Sequence, residues 1–146
     1  MANLRLYFQA SRGIRQGCPL SPFLYIIMAD TLSRKLIVER NKGTLQGIRP
    51  TTGLEPINHA LFADDSLLLG RASTRIAKEF NGTLHSFCII SGALINKIKS
   101  VVYSWNTEEQ TILRIARILD FPGHASWDKI QYLGPPLTPR VNRASL

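Results

Sequence analysis

The sequence predicts an α+β fold, a small antiparallel sheet with helices packed on one face. Three observations lead there. Residues 22–40 and 73–91 repeat apolar side chains at helical spacing, while short runs near 4–8, 59–69 and 101–105 read as strands. A chain of 146 residues, 45% hydrophobic and 19% charged, has the size and composition of one globular domain.

Leu4-Arg5-Leu6-Tyr7-Phe8 alternates as a short strand. Gly13 and Gly17 then open a loop that closes at Pro19-Leu20-Ser21-Pro22. Ser21 is the predicted N-cap, and Pro22 suits the first helical position, where its missing N–H has no partner to lose. The helix should run from about Pro22 toward Arg40, with Leu24, Met28, Leu32 and Leu36 on one face. Asn41-Lys42-Gly43 ends it. Residues 43–58, punctuated by Gly43, Gly47, Pro50, Gly53 and Pro56, read as a loop or weak hairpin. His59 to Leu69 reads as strand, turn, strand. A second helix follows from Ser73, with Ile76, Phe80, Leu84, Phe87 and Cys88 at helical spacing and Gly92 as its stop. Val101 to Trp105 makes a strand, and Thr107-Glu108-Glu109-Gln110 is a capping box opening a third helix to about Leu119. Beyond Phe121-Pro122-Gly123 the chain reads as irregular, with a candidate strand around Ile130 to Leu133.

Eighteen Lys and Arg against ten Asp and Glu give a net charge of +8 and a pI near 10.0. Such a field favours polyanions and makes binding to phosphate backbones sensitive to salt. The excess is strongest before Glu55, where Arg5, Arg12, Arg15, Arg34, Lys35, Arg40, Lys42 and Arg49 face only Asp30 and Glu39. A soluble basic surface without a ligand is the alternative. No apolar run approaches a membrane span, and Met1 to Gln9 does not read as a secretory signal. Cys18 and Cys88 are far apart without metal-ligand spacing, which points to free thiols in a reducing, intracellular setting.

Asp64 and Asp65 carry the most chemistry. They lie inside Leu61-Phe62-Ala63-Asp64-Asp65-Ser66-Leu67-Leu68-Leu69, two like charges between apolar runs. In a half-buried segment such acids repel each other and lose hydration, so a neutralising cation is expected. Mg²⁺ is commonly held by one or two carboxylates plus substrate phosphates. A polar turn with both acids in water is the alternative.

Four segments, in order, resemble the reverse transcriptase domain of LINE-type (non-LTR) retrotransposons. They are Arg12-Gly13-Ile14-Arg15-Gln16-Gly17-Cys18-Pro19-Leu20-Ser21-Pro22, Phe62-Ala63-Asp64-Asp65, Ser91-Gly92 with Asn96 and Lys99-Ser100, and Tyr132-Leu133-Gly134. The likeness spans about Phe8 to Leu137. It implies a polymerase palm in which two Mg²⁺ ions, about 4 Å apart, activate a primer hydroxyl and stabilise the leaving pyrophosphate. RNA template, DNA primer and deoxynucleotides are the implied partners. Asp64 would be a metal ligand at a hairpin tip and Asp65 a second or supporting carboxylate, with Phe62 and Ala63 beside the primer end. Arg15, Gln16 and Gly17 would lie near the incoming nucleotide and template. Lys99 would protonate or screen the pyrophosphate, unless it simply faces solvent. Tyr132, Leu133 and Gly134 would support the primer, with ordinary core packing as the alternative for Tyr132; Pro135-Pro136 directly after them would distort that hairpin. Asn96 reads as a turn or cap, and His59 as a packed or surface residue.

That family needs a further aspartate from a strand upstream of the Arg12 segment, and no acid precedes Arg12 here. Asp30, Asp120 and Asp128 do not fit the role. The expectation is therefore a partial reverse transcriptase domain over residues 1–146, holding the later palm motifs without complete fingers, thumb or endonuclease. It would be inactive alone and sparingly soluble, with the missing parts of the polymerase as partners. A non-catalytic basic RNA- or DNA-binding remnant is the alternative function.

Overall fold

The computed structural model describes residues 13–124 together with Tyr132 and Leu133. The expected strand at 4–8, most of the candidate strand near 130–133, Gly134 and the two prolines after it lie outside the described residues. Seven elements follow in order: α1 (Ser21–Asn41), β1 (His59–Phe62), β2 (Asp65–Leu68), α2 (Thr74–Ser91), β3 (Val102–Tyr103), α3 (Glu109–Leu119) and β4 (Gly123–His124). The fold is mixed α+β, as the periodicities predict.

α1 begins one residue earlier than expected, and Ser21 does not cap it. Leu20 holds the cap position, and the Ser21 hydroxyl instead donates to the Arg15 carbonyl at 2.7 Å, closing the preceding loop. The other end is a glycine stop. Gly43, at φ +75°, lets its N–H reach the Arg40 carbonyl (2.9 Å) and the Thr44 N–H reach that of Glu39 (3.0 Å). This pairing satisfies carbonyls left over at the helix end. Of the predicted apolar face, Leu32 and Leu36 are buried, Met28 is half-buried and Leu24 is 46% exposed. Phe23, Ile26 and Ile27 also face outward on this helix.

α2 matches its sequence signals. The Ser73 hydroxyl accepts from the Ile76 N–H, and Gly92 ends the helix in the left-handed region. Ile76, Phe80 and Leu84 join Leu32, Leu36 and Leu45 in one core cluster, against which Leu61, Leu68, Phe87 and Leu119 pack. The pleat sorts the hairpin accordingly. β1 and β2 pair antiparallel, His59 with Leu68 through Phe62 with Asp65, so Leu61 and Leu68 share the face turned to the helices. Phe62 and Asp65 belong to the other face.

The loop before the hairpin contains one antiparallel bridge, Ile48 with Ile57. Gly47 permits it: a Cβ there would lie 2.1 Å from the Ile57 carbonyl oxygen and 2.6 Å from the Asn58 nitrogen. Such contact between backbones only glycine allows.

Two further expectations need correction. The Thr107 box does not form, because its hydroxyl donates to the Trp105 carbonyl and Glu108 takes the cap position without a side-chain bond. The segment after α3 is not irregular at once: Gly123–His124 pairs in parallel with β3, which is itself only two residues long. The ring of Tyr103 stacks on His124, centroids 5.7 Å apart. Among the described residues no helix is long and apolar enough to cross a membrane.

Candidate active site

The hairpin turn consists of Ala63 and Asp64, between the paired Phe62 and Asp65. Ala63 has φ +47°, a region that a residue with a Cβ enters at a cost of about 1–2 kcal/mol. The geometry lifts Asp64 to the tip and leaves Asp65 at the start of β2, facing away from the core. Phe62, Ala63, Asp64 and Asp65 are all exposed. This corrects the expectation of half-buried acids: the apolar neighbours Leu61 and Leu68 are turned to the helices, while the acids stay in solvent. The desolvation that would demand a cation is therefore small. Their mutual charge remains, and among the described residues no Lys, Arg or His pairs with either acid.

Two tyrosines approach this hairpin. The Tyr25 hydroxyl, on α1, donates to the Ala63 carbonyl at 2.5 Å. The Tyr132 hydroxyl lies 3.4 Å from the Ala60 carbonyl, longer than an ordinary O–H···O bond, and makes at most a weak contact. Burial, and then the charges of Asp64 and Asp65, push the Tyr25 phenol above its ordinary pKa. Burial and then Asp65 do the same for Tyr132. Both phenols therefore stay protonated donors beside the acids.

The base of the hairpin is fixed by Asn58, only 1% exposed. Its amide nitrogen donates to the carbonyls of Leu36 (2.8 Å) and Leu45 (3.3 Å), so its oxygen is left to face His59 Nδ1 at 2.7 Å. His59 must then carry its proton on Nδ1 and accept at Nε2 from the Ser33 hydroxyl, 2.8 Å away. Burial, reinforced by the nearby Arg40 charge, lowers the His59 pKa. His59 is thus a packed residue joining α1 to β1.

Arg15, Gln16 and Gly17 line an open cleft of about 590 Å³ with Pro22 and Tyr25, over the start of α1. Arg15 and Gln16 are exposed, and Gly17 turns the loop at φ +79°. Cys18 lines the same cleft, its thiol pKa lowered chiefly by the Leu20 backbone N–H. Tyr25 therefore links the cleft to the acidic turn. Lys99 is not drawn into this arrangement. It is exposed in a turn where Asn96 Oδ1 accepts from the Ile98 and Lys99 N–H groups, each at 3.2 Å, and no hydrogen bond or ion pair joins it to either acid. Leu133 is exposed, with φ +56°. Tyr25 and Asn58 gave no sequence signal: one is a polar residue within a helical run, the other a single Asn before a strand.

The amino-acid sequence matches the family described as reverse transcriptase (RNA-dependent DNA polymerase) over residues 3–137. The chain belongs to that family. It is 37% identical over 93 residues to the retrovirus-related Pol polyprotein from the type-1 retrotransposable element R2 of Popillia japonica, covering 64% of this chain and 12% of that protein. To the R2 polyprotein of Nasonia vitripennis it is 41% identical over 69 residues, covering 47% of this chain and 6% of that one. An uncharacterized mitochondrial protein of Arabidopsis thaliana is 48% identical over 56 residues, 38% of this chain and 46% of that protein. The chain thus spans less than half the length of the relatives it matches. No solved structure matches it. The relationship is to non-LTR retrotransposon polymerases, in agreement with the motifs.

Among the described residues no cluster of three His, Cys, Asp or Glu could hold a metal ion. Asp30 is tied to Arg34 and Asp120 to Lys97, away from the pair. The donor set at the tip is therefore two exposed carboxylates. That fits a hard divalent cation that draws its remaining ligands from water and substrate phosphates.

Proposed function

We propose that this chain carries the acidic turn and template-side loop of an RNA-directed DNA polymerase site, and that these 146 residues alone bind template–primer without extending it. One observation carries the reading: within a reverse transcriptase domain, the hairpin tip offers two exposed acids that no cation among the described residues neutralises. Asp64 and Asp65 would hold Mg²⁺, which when bound supplies Lewis-acid charge to the primer hydroxyl and the leaving pyrophosphate.

The chain's own residues would do the remaining work. Arg15 and Gln16 offer a cation and an amide to template and incoming nucleotide, and Gly17 lets the backbone come close. Phe62 and Ala63 give the primer end an apolar wall, and Tyr132, Leu133 and Gly134 support the primer strand. Lys99 would meet the pyrophosphate as proton donor or charge screen. Two carboxylates do not complete the coordination of two ions, which is why extension by the chain alone is not expected.

The test is primer extension on an RNA template with the purified chain, beside filter binding of the same template–primer. Binding that strengthens with Mg²⁺ and weakens in Asp64→Asn, without extension, is the expected result. Robust Mg²⁺-dependent extension abolished by Asp64→Asn would contradict the inactivity.

The net charge of +8 favours a second reading, a non-catalytic RNA- or DNA-binding protein. It predicts a steep loss of affinity with salt but no response to Mg²⁺ or to Asp64→Asn. Absence of binding even at low salt would remove it.

A further inference from the structure

We propose that Tyr25 is a positioning residue for the metal-binding acids: its hydroxyl holds the Ala63–Asp64 turn in the conformation that presents Asp64. The proposal rests on the metal reading above and extends it to a residue outside the four family-like segments.

Ala63 sits at φ +47°, a conformation it enters only at a cost, and nothing in its own side chain offsets that cost. Asn or Asp can stabilise the left-handed region by local hydrogen bonding, and Gly pays no steric penalty there; Ala does neither. The compensation has to come from outside the turn. The Tyr25 hydroxyl donates to the carbonyl of that same residue. The bond crosses 38 residues of sequence, from a helix fixed in the core by Leu32 and Leu36 to an otherwise exposed tip. Among the described residues it is the side-chain bond that anchors the turn to a helix.

Tyr25 also lines the cleft beside Arg15 and Gly17. One side chain thus touches both the cleft and the backbone that carries Asp64. A ligand in the cleft that displaced the ring would release the turn, and one that packed on it would hold the turn in place.

The consequence can be measured without polymerase activity. Losing one hydrogen bond of ordinary worth, ~1 kcal/mol, lowers the ratio of competent to released turn about fivefold. Apparent metal affinity follows the competent fraction and falls by up to that factor. Mn²⁺ is the probe, titrated into the full chain and followed by electron paramagnetic resonance. The variants are Tyr25→Phe, Asp64→Asn and the double variant Tyr25→Phe with Ala63→Gly, each first shown to melt like the parent by circular dichroism. The ¹³C resonance of the Ala63 carbonyl reports the bond in metal-free protein.

We expect Tyr25→Phe to shift that resonance and to weaken Mn²⁺ binding measurably, by up to about fivefold. Ala63→Gly in the same background should recover part of the affinity, since glycine enters positive φ freely. A merely structural tyrosine would leave Mn²⁺ affinity unchanged. Parental affinity in Tyr25→Phe, with binding lost in Asp64→Asn, would overturn the proposal while leaving the metal reading intact. Mn²⁺ binding that is indifferent to Asp64→Asn would overturn the metal reading, and the proposal with it.

Discussion

Replacing Asn58 by alanine should destabilise the domain more than any other single polar truncation beneath the hairpin that carries Asp64 and Asp65. The side chain donates at 2.8 Å to Leu36 and at 3.3 Å to Leu45, and its oxygen accepts from His59 at 2.7 Å. A hydrogen bond is worth ~1 kcal/mol net, and a buried carbonyl left without its partner costs ~1–3 kcal/mol. The Leu45 bond is at the weak end by length, and half-buried His59 can recover water, so the sum is tempered. The expected loss is ~2–4 kcal/mol against a total of ~5–15 kcal/mol for a domain. Urea unfolding reads it as a lower midpoint at constant slope. Asn58→Asp separates chemistry from volume. It keeps the size but aims a carboxylate oxygen at two carbonyls, and should cost at least as much as alanine. A loss under ~0.5 kcal/mol for alanine, or near-parental stability for Asn58→Asp, would refute the clamp.

Further outcomes follow from other contacts. Gly47→Ala places a Cβ 2.1 Å from the Ile57 oxygen, so the bonds joining Ile48 and Ile57, at 2.9 and 2.8 Å, should break. The expected cost is ~2 kcal/mol or more, with faster amide exchange at both isoleucines. Ser73→Ala removes the acceptor for the Ile76 N–H and should cost ~1 kcal/mol by thermal unfolding, whereas Ser21→Ala, which removes no cap, should act only on the Arg15 loop. The His59 pKa is lowered in the fold, so the unfolded chain takes up the proton first. Stability from this group is therefore complete above the ordinary histidine value of about 6.5 and falls as pH drops through it toward the folded value. His59→Gln should flatten that part of the pH–stability curve.

Much of this fold could be read in the sequence because several signals agreed. α2 had a capping serine, an apolar stripe and a terminal glycine, and all three act as expected. The hairpin around the acids was legible as two apolar runs on either side of a polar turn between His59 and Leu69. Its exposure was not, because apolar neighbours on both sides suggested burial. The pleat turns Leu61 and Leu68 inward and Asp65 outward, and the two-residue turn carries Asp64 beyond the core. Ser21 and Thr107 misled for a common reason: each hydroxyl found a backbone carbonyl, Arg15 or Trp105, in place of a helix N–H. β4 was hidden because two residues, one of them glycine, carry no periodicity, and their parallel partner lies across α3. Of the candidate site, the motifs singled out Arg15 to Gly17 and the acid pair. The contacts that fix the turn and its base, from Tyr25 and Asn58, depend on chain segments brought together only by folding.

The central claim is that Asp64 and Asp65 form a divalent-metal site at the tip of the hairpin. Iron-mediated cleavage tests it most directly: Fe²⁺ is bound in place of Mg²⁺ with template–primer present, and ascorbate and peroxide then cut the backbone near the ion. The account predicts cuts centred on residues 62–66, suppressed by excess Mg²⁺ and lost in Asp64→Asn. Cleavage elsewhere, or cleavage at the hairpin that persists in Asp64→Asn, would contradict it.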